Sequence, residues 1–587
     1  MGRRQERRAL SRARPPTPAA APPQPVKPAK RRLSPPGSAL RRTLHRVARA
    51  RPLLVVTVLV VGHLLLAFLT LEPRPHTGGD NAAYITLARS LIEHGTYTEL
   101  WDPAEPPHTK YPPVFPGLLA IALLVGLKPW VQLKLVVIAC SAAAVALTFL
   151  WIRARKRPLL ALAIASIIAV APGVLREGRW VLSDVPFWAF TMLALWAFER
   201  LRPHDWQRFA VAALATLLAY FTRSAGLPLV LAAFAWLAWR KHWKQLGALV
   251  VVSGIPAIVW WLRARAFGPS GYVSEFWLID PYTPAAGRIG VADLFQRAGT
   301  NLQKYLSIHL PILLAGKQSA LLLALSGVIF VLAIYGWFRR LRCARVADLF
   351  LPLYLGLLFI WPAVWSGERF LLPALPVVLC LAGEALVRLV RRFAAWQAFP
   401  LTAAAAAAVL LLMLPGLVQA VRLGRECTRR YFEGERYPCL GEVWTDYFAM
   451  AELTGAMVPA ASVVLTRKPR LFYALSGVHS RVFPLTDDPA ALFASADSAG
   501  ARYLVFDRVD GLSEYYVRPV LMRRPAAFCV MRAQPAGTVL FGIRPDHAAA
   551  PDLGDAGLRG EANIAFGFCG DEYWKSPQAR QLYSGGG

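Results

Sequence analysis

The chain has 587 residues, of which 56% are hydrophobic and 17% charged, and its mean hydropathy is +0.40. This composition is too apolar for an ordinary soluble protein, and it predicts a polytopic α-helical membrane protein. The net charge of +31 does not indicate a nucleic-acid partner. The Lys and Arg residues form short clusters between apolar runs, as membrane orientation requires, instead of one continuous basic surface.

The N-terminal residues 1–51 are rich in Arg, Pro and Ala and contain few large apolar side chains that could form a core. This composition predicts a disordered, basic cytoplasmic tail. The next run, residues 52–71, is about 20 residues long, enough for one membrane crossing. We interpret it as an uncleaved signal anchor.

Residues 112–127 are apolar but short and carry three prolines in their first turns. If this run spanned the membrane, the basic loop 153–157 and nearly all later basic loops would lie outside, against the positive-inside tendency. We therefore expect residues 112–127 to stay at one interface. About 11–13 membrane helices then fill a transmembrane domain at 52–422, whose first outer loop, 72–129, carries juxtamembrane helices.

From residue 423 the apolar runs stop, and residues 461–545 alternate β-rich with helix-like pieces. This pattern predicts a small extracytoplasmic α/β domain at 423–587, with a loosely ordered tail beyond Pro551. Its cysteines are Cys427, Cys439, Cys529 and Cys569. The simplest pairing joins the first two and the last two, although two other pairings and free thiols stay open.

Two carboxylates stand at helix starts beside apolar runs. Asp80 opens an amphipathic segment after two glycines, and Asp184 precedes a helix with Pro186 in its first turn. Each could simply cap its helix. However, the predicted topology places both on the outer side at the level of the membrane. An ionised carboxylate there costs free energy unless it takes part in a reaction or forms an ion pair. We interpret them as facing each other across a lipid-accessible cleft.

Positively charged residues recur at the same outer level: Lys110, Arg176, Arg179, Arg223 and Arg369. Positively charged residues at the outer ends of membrane helices run against the positive-inside tendency. A nearby anion, such as a lipid phosphate, would explain their position. Snorkelling, or an ion pair with Glu177 or Glu368, is the alternative for each of them.

Five segments, covering roughly residues 52–421 in matching order, resemble the GT-C glycosyltransferases of the protein-mannosyltransferase and aminoarabinose-transferase type: GGDNAAYITLARSLIEHGTY, KYPPVFPGLLA, LSDVP, TRSAGL and ERFLLPALP. The resemblance implies the GT-C fold, with Asp80 as the catalytic base and Asp184 supporting the donor or acceptor site. It also implies that Lys110 and Arg223 bind the phosphate of a polyprenyl-phosphate sugar, and we add Arg369 to them. The candidates for supporting roles are Tyr84, Tyr111 and Arg179.

Transfer of a sugar needs a base near the nucleophile and stabilisation of charge on the departing phosphate. The sequence has no DxD-type cluster or HExxH motif, so Lys and Arg can neutralise the leaving group. No cofactor is then required, and a divalent metal is optional.

The expected function is inverting transfer from a polyprenyl-phosphate sugar to a lipid, glycan or protein acceptor, outside the inner (plasma) membrane. One alternative is a polyprenyl-linked glycan ligase or polymerase. Another is a lipid or sugar transporter or flippase, which would place ionisable residues in mid-membrane.

Overall fold

The computed structural model describes residues 38–128, 130–268, 271–394, 397–559 and 564–583. Helices build the structure up to residue 432, and a small sheet domain follows. The α-helices of the first part are Ser38–Ala50, Pro52–Leu69, Gly79–Glu93, Val114–Leu124, Trp130–Ala154, Pro158–Val170, Pro172–Glu177, Asp184–Glu199, Trp206–Thr222, Leu227–Trp239, Trp243–Ala266, Gly271–Phe276, Asp293–Lys304, Leu310–Ala315, Ala320–Arg340, Val346–Ile360, Leu375–Phe393 and Ala398–Phe432.

The first predicted crossing, residues 52–71, corresponds to the helix Pro52–Leu69. Among the described residues, five helical segments are long and apolar enough to cross a membrane: Pro52–Leu69, Trp130–Ala154, Trp243–Ala266, Ala320–Cys343 and Ala398–Phe432. Shorter apolar helices pack among them, such as Pro158–Val170 and Val346–Ile360. The polytopic helical architecture is confirmed, while the number of crossings stays a prediction.

The segment on which the predicted topology depends forms the helix Val114–Leu124. Its 11 residues extend about 16 Å at 1.5 Å per residue, roughly half of the 30 Å apolar layer. Phe115 and Leu119 are buried, and the Phe115 ring packs edge-on against Tyr84 with centroids 4.9 Å apart. The helix is therefore too short to span, and it lies against the helix that carries Asp80.

The N-terminal tail is more ordered than predicted. Ser38–Ala50 is a helix, its Val47 packs against the hydrophobic core of the membrane domain, and Arg153 donates to the Arg49 carbonyl at 2.9 Å. Leu44 and Val47 lie three positions apart on one helical face and are both partly buried. The disorder prediction is wrong for this part of the tail, and residues 1–37 lie outside the described residues.

After residue 432 the chain forms a five-stranded mixed sheet. Its strands are β1 (Val463–Leu465), β2 (His479–Arg481), β3 (Ala501–Phe506), β4 (Phe528–Ala533) and β5 (Val539–Ile543), in the order β2-β1-β3-β5-β4. β1 runs parallel to β2 and β3, whereas β5 is antiparallel to β3 and β4. The helices of this part are Glu442–Met457, Pro469–Ser476, Pro489–Ala499, Arg518–Arg523, Gly554–Leu558 and Pro577–Tyr583. The α/β prediction is confirmed.

Two disulfides tie this domain together in the simplest predicted pairing. Cys427 is bonded to Cys439 and Cys529 to Cys569, with Cα–Cα distances of 5.6 and 4.9 Å. The second bond holds residues 564–583 against the sheet, where the buried Tyr573 donates its hydroxyl proton to the Ile543 carbonyl at 2.9 Å. The expectation of a loose tail beyond Pro551 is therefore wrong for these residues, while residues 560–563 and 584–587 lie outside the described part.

The last membrane helix, Ala398–Phe432, makes close backbone contact with its neighbours at two glycines. A methyl group at Gly416 would overlap the Ala315 carbonyl oxygen, and one at Gly424 would meet the backbone of Leu69 and Thr70. These contacts anchor the helix beside the first membrane helix.

We expect Gly416→Ala to destabilise the protein by about 1–3 kcal/mol, because the backbones must move apart to admit the methyl group. The apparent melting temperature in detergent measures this effect. Gly327→Ala is the matched control, since its added methyl meets no atom within 4 Å and Ala favours a helix. Equal melting temperatures for both variants would contradict the close helix contact.

Candidate active site

Asp80 lies in the first turn of Gly79–Glu93, after Gly78, which occupies the N-cap position. One carboxylate oxygen, Oδ1, accepts a hydrogen bond from the Tyr111 hydroxyl at 2.8 Å. The other, Oδ2, lies 3.2 Å from Nη2 of Arg369, and the side chain remains 35% exposed. The carboxylate therefore pairs with side chains from two other segments and does not cap its helix.

Asp184 is the first residue of its helix, after Ser183 at the N-cap. Its side chain is almost completely buried. Oδ1 lies 2.9 Å from Nη1 of Arg223, and Oδ2 lies 3.8 Å from Nη1 of Arg369. Since Nη2 of the same guanidinium group contacts Asp80, the two predicted carboxylates meet at one cation.

The two arginines share an aromatic support. The guanidinium groups of Arg223 and Arg369 lie 5.2 and 4.8 Å from the centroid of the Phe370 ring, within the range of cation–π attraction. Ser183 accepts from Arg223 at 3.1 Å and is hydrogen-bonded to the Tyr84 hydroxyl at 2.8 Å. The side chains of Arg223 and Arg369 keep 19% and 26% exposure, so an anion can approach both.

The charges of this cluster stabilise one another. Burial acts to raise the pKa of Asp80, but Arg369, the Tyr111 hydroxyl and Arg470 outweigh it and hold that pKa well below its usual range. Burial likewise acts to lower the pKa of Arg369, but Asp184 and Asp80 raise it above its usual value. Both groups are therefore charged at neutral pH.

A second network anchors the turn that carries Arg369. The preceding residue, Glu368, pairs with Arg176 and lies 3.2 Å from Nδ1 of His309, whose Nε2 lies 3.2 Å from Ser366. Burial acts to raise the pKa of Glu368, but the His309 hydrogen bond and Arg176 lower it to about 2. Arg369 thus projects from a turn that is held by its neighbours.

Two of the predicted site residues have other partners. Lys110 forms an ion pair with Glu275 at 2.7 Å and lies 5.5 Å from the Trp365 ring centroid. Arg179, a candidate for a supporting role, is buried and pairs with Glu72 instead of with Asp80 or Asp184. Tyr84 and Tyr111, the other candidates for support, do contact the cluster.

One site residue comes from the C-terminal domain and was missed in the sequence. Nη1 of Arg470, in the helix Pro469–Ser476, donates to the Tyr111 hydroxyl at 2.9 Å, and Tyr111 in turn donates to Asp80. No motif marks Arg470, because its position follows from how the two domains dock.

Cations, not a cluster of metal ligands, surround the carboxylates. Within the described residues, no group of three or more His, Cys, Asp or Glu side chains could hold a metal ion. The arrangement offers an ionised carboxylate next to two partly exposed guanidinium groups. It can accept a proton on one side and neutralise an anionic leaving group on the other.

The chain is similar to known proteins in sequence and in fold. Residues 110–273 match the dolichyl-phosphate-mannose-protein mannosyltransferase family. No curated protein sequence matches the chain. The oligosaccharyltransferase of Archaeoglobus fulgidus, solved with zinc and sulfate, superposes with a TM-score of 0.53 at 15% identity, covering 83% of this chain and 72% of its own.

ArnT from Cupriavidus metallidurans also has this fold. Its structure bound to undecaprenyl phosphate gives a TM-score of 0.50 at 14% identity, covering 84% of this chain and 98% of its own. Its apo structure gives 0.50 at 16% identity with the same coverage. At these identities the structures show the shared GT-C fold. Together with the family match, they confirm the predicted resemblance and indicate a membrane glycosyltransferase.

We expect Arg223→Gln to destabilise the protein by about 3 kcal/mol, because it removes the nearest cation from a buried carboxylate. Adding Asp184→Asn should recover much of this loss, since the two effects are coupled. Arg208→Gln is the control: its pair with Asp205 is half exposed and should contribute about 1 kcal/mol or less. Apparent melting temperatures compare the variants, and equal values for Arg223→Gln and Arg208→Gln would contradict the buried pair.

Proposed function

We propose that this GT-C glycosyltransferase moves a sugar from a polyprenyl-phosphate donor to an acceptor on the outer side of the membrane, with Asp80 as general base. The observation that carries the proposal is the Arg369 guanidinium between Asp80 and Asp184, at 3.2 and 3.8 Å. It places a proton acceptor beside a site for a departing phosphate. The acceptor is a lipid, a glycan or a protein.

The donor phosphate binds at Arg223 and Arg369, whose guanidinium groups are partly exposed and share the Phe370 ring. An apolar cleft begins beside this turn, lined in part by Tyr305, Phe359, Leu371 and Val378. It suits the first isoprene units of a lipid donor. The structure of ArnT from C. metallidurans with undecaprenyl phosphate, on the same fold, supports a lipid phosphate as ligand. Lys110 exchanges its ion pair with Glu275 for an ion pair with the donor phosphate.

Donor binding activates the base in this account. An incoming phosphate competes with Asp80 for Arg369, because one guanidinium group cannot neutralise both anions fully. As Arg369 turns towards the phosphate, the pKa of Asp80 rises from the low value that Arg369 imposes. A carboxylate with a higher pKa is a stronger base. Asp80 therefore becomes reactive when the donor is present.

The reaction is a single displacement. The acceptor oxygen or nitrogen attacks the anomeric carbon from the face opposite the phosphate and gives its proton to Asp80. The bond between the anomeric carbon and the phosphate oxygen breaks, and its electron pair leaves with the polyprenyl phosphate. Arg223 and Arg369 neutralise that charge, while Asp184 holds both arginines in position. The anomeric configuration is inverted.

We further propose an inner (plasma) membrane location with the site and residues 423–587 outside the cytoplasm, and the domain boundaries 1–51, 52–422 and 423–587. Two observations support this orientation. The helix Val114–Leu124 is too short to span, which keeps the basic loops on the opposite side from Asp80. The disulfides after residue 423 suit an oxidising compartment.

Asp80→Asn should reduce transfer by at least about 100-fold, because the amide cannot accept the acceptor's proton. Transfer of radiolabelled sugar from a polyprenyl-phosphate donor into membranes measures the rate, and membrane yield and melting temperature check folding. Glu93→Gln, an exposed acid at the other end of the same helix, is the matched control. Wild-type turnover by Asp80→Asn would refute the assignment of the base.

Chelation of divalent metals should leave the transfer rate within about twofold, because the guanidinium groups supply the charge that a metal would otherwise provide. The assay compares membranes with and without EDTA at fixed donor concentration. A loss of about 100-fold that Mg²⁺ or Mn²⁺ restores would show that a metal stabilises the leaving group instead.

A further inference from the structure

The C-terminal domain docks on the first outer loop of the membrane domain at a defined position. Arg481, in β2, donates to both carboxylate oxygens of Asp102 at 2.8 and 2.9 Å. The backbone N–H of Ser480 donates to the Trp101 carbonyl at 2.7 Å. A bidentate ion pair and a backbone hydrogen bond fix both the distance and the orientation of β2 relative to this loop.

Arg470 projects from a rigid part of this domain. It lies in the first turn of the helix that follows β1. The short connection between them is held at both ends: Thr466 is hydrogen-bonded to the Tyr447 hydroxyl at 2.9 Å, and Lys468 pairs with Asp510 at 3.1 Å. The direction in which Arg470 leaves the domain is therefore set by the sheet.

The Arg470 side chain reaches into the active site. Its guanidinium group lies 5.1 Å from the Trp101 ring centroid and 5.5 Å from that of Tyr111, and Nη1 donates to the Tyr111 hydroxyl at 2.9 Å. A Cβ at Gly79 would lie 4.0 Å from Cδ of Arg470. The side chain thus lies along the start of the helix that carries Asp80.

The contact holds the Tyr111 hydroxyl between a donor, Arg470, and an acceptor, Asp80. A guanidinium group can only donate hydrogen bonds, so the Tyr111 oxygen must be the acceptor from Arg470. The single hydroxyl hydrogen of Tyr111 is then directed at Oδ1 of Asp80, 2.8 Å away. The other oxygen of that carboxylate, Oδ2, stays on the Arg369 side.

We propose that Arg470 is a positioning residue for catalysis: through Tyr111 it fixes the orientation of the Asp80 carboxylate, so that the C-terminal domain completes the active site. The inference rests on the proposed role of Asp80 as base. It assigns to residues beyond the membrane domain a direct part in the reaction. The contact from Arg470 to Tyr111, and not the rest of the interface, is what acts on the base.

The test measures kcat against pH at saturating donor for the full-length protein, which reports the titration of the base in the substrate complex. The acidic limb of this profile is the range in which kcat falls as the pH is lowered and the base becomes protonated. Arg470→Gln should move the acidic limb to higher pH by about one unit, because a cation and an oriented hydroxyl no longer stabilise the carboxylate. Arg470→Lys keeps the charge and a donor, and should restore most of the wild-type profile. An unshifted limb in Arg470→Gln would overturn the proposal.

Two further variants separate positioning from docking. Arg481→Gln removes the ion pair with Asp102 in the same interface without touching Tyr111, and should leave the acidic limb in place. Tyr111→Phe combined with Arg470→Gln should shift the limb by less than the sum of the single shifts, since Arg470 acts through the tyrosine. If Arg481→Gln moved the limb as far as Arg470→Gln, or if the shifts were additive, the proposal would be wrong.

A chemical readout distinguishes this proposal from the proposed function. Water-soluble carbodiimides modify protonated carboxyl groups, so labelling of Asp80 at pH 5, quantified by mass spectrometry, reports its protonation without any sugar transfer. Labelling should increase in Arg470→Gln and stay at the wild-type level in Arg470→Lys and Arg481→Gln. Absence of transfer activity in the wild type with this labelling pattern would reject the glycosyltransferase mechanism alone. Equal labelling of Arg470→Gln and the wild type would reject the role of Arg470.

Discussion

The candidate active site depends on one guanidinium group held by two carboxylates. Arg369 lies 3.2 Å from Asp80 and 3.8 Å from Asp184, so a single cation joins the two acids. The same group is partly exposed and can bind an anion. In the proposed function, the carboxylate of Asp80 and the donor phosphate compete for this group, which couples the charge of Asp80 to the presence of the donor.

This arrangement constrains the topology of the whole membrane domain. The two acids are about a hundred residues apart in the chain, and they meet only if the helices between them return the chain to the same membrane face. The helix Val114–Leu124 satisfies this condition because it is too short to cross and packs beside the helix of Asp80. A spanning helix there would move the acids to opposite faces.

The sequence predicted the elements that local chemistry determines. Apolar runs predicted the membrane helices, helix starts located Asp80 and Asp184, and the order of the cysteines suggested both disulfides. The sequence did not show which acidic residue each Lys or Arg side chain would pair with. Arg179 pairs with Glu72 and Lys110 with Glu275, because tertiary packing and not sequence proximity decides which acid a long cationic side chain meets. The ordered helix Ser38–Ala50 was missed because the surrounding Arg- and Pro-rich composition outweighed its short apolar face.

The most direct measurement is an experimental structure of the full chain with undecaprenyl phosphate bound. The account predicts phosphate density at Arg223 and Arg369, the lipid chain in the cleft beside Leu371, and an Arg369 side chain that has moved from Asp80 towards the phosphate. A phosphate bound elsewhere, with Arg369 still paired to Asp80, would contradict the central claim.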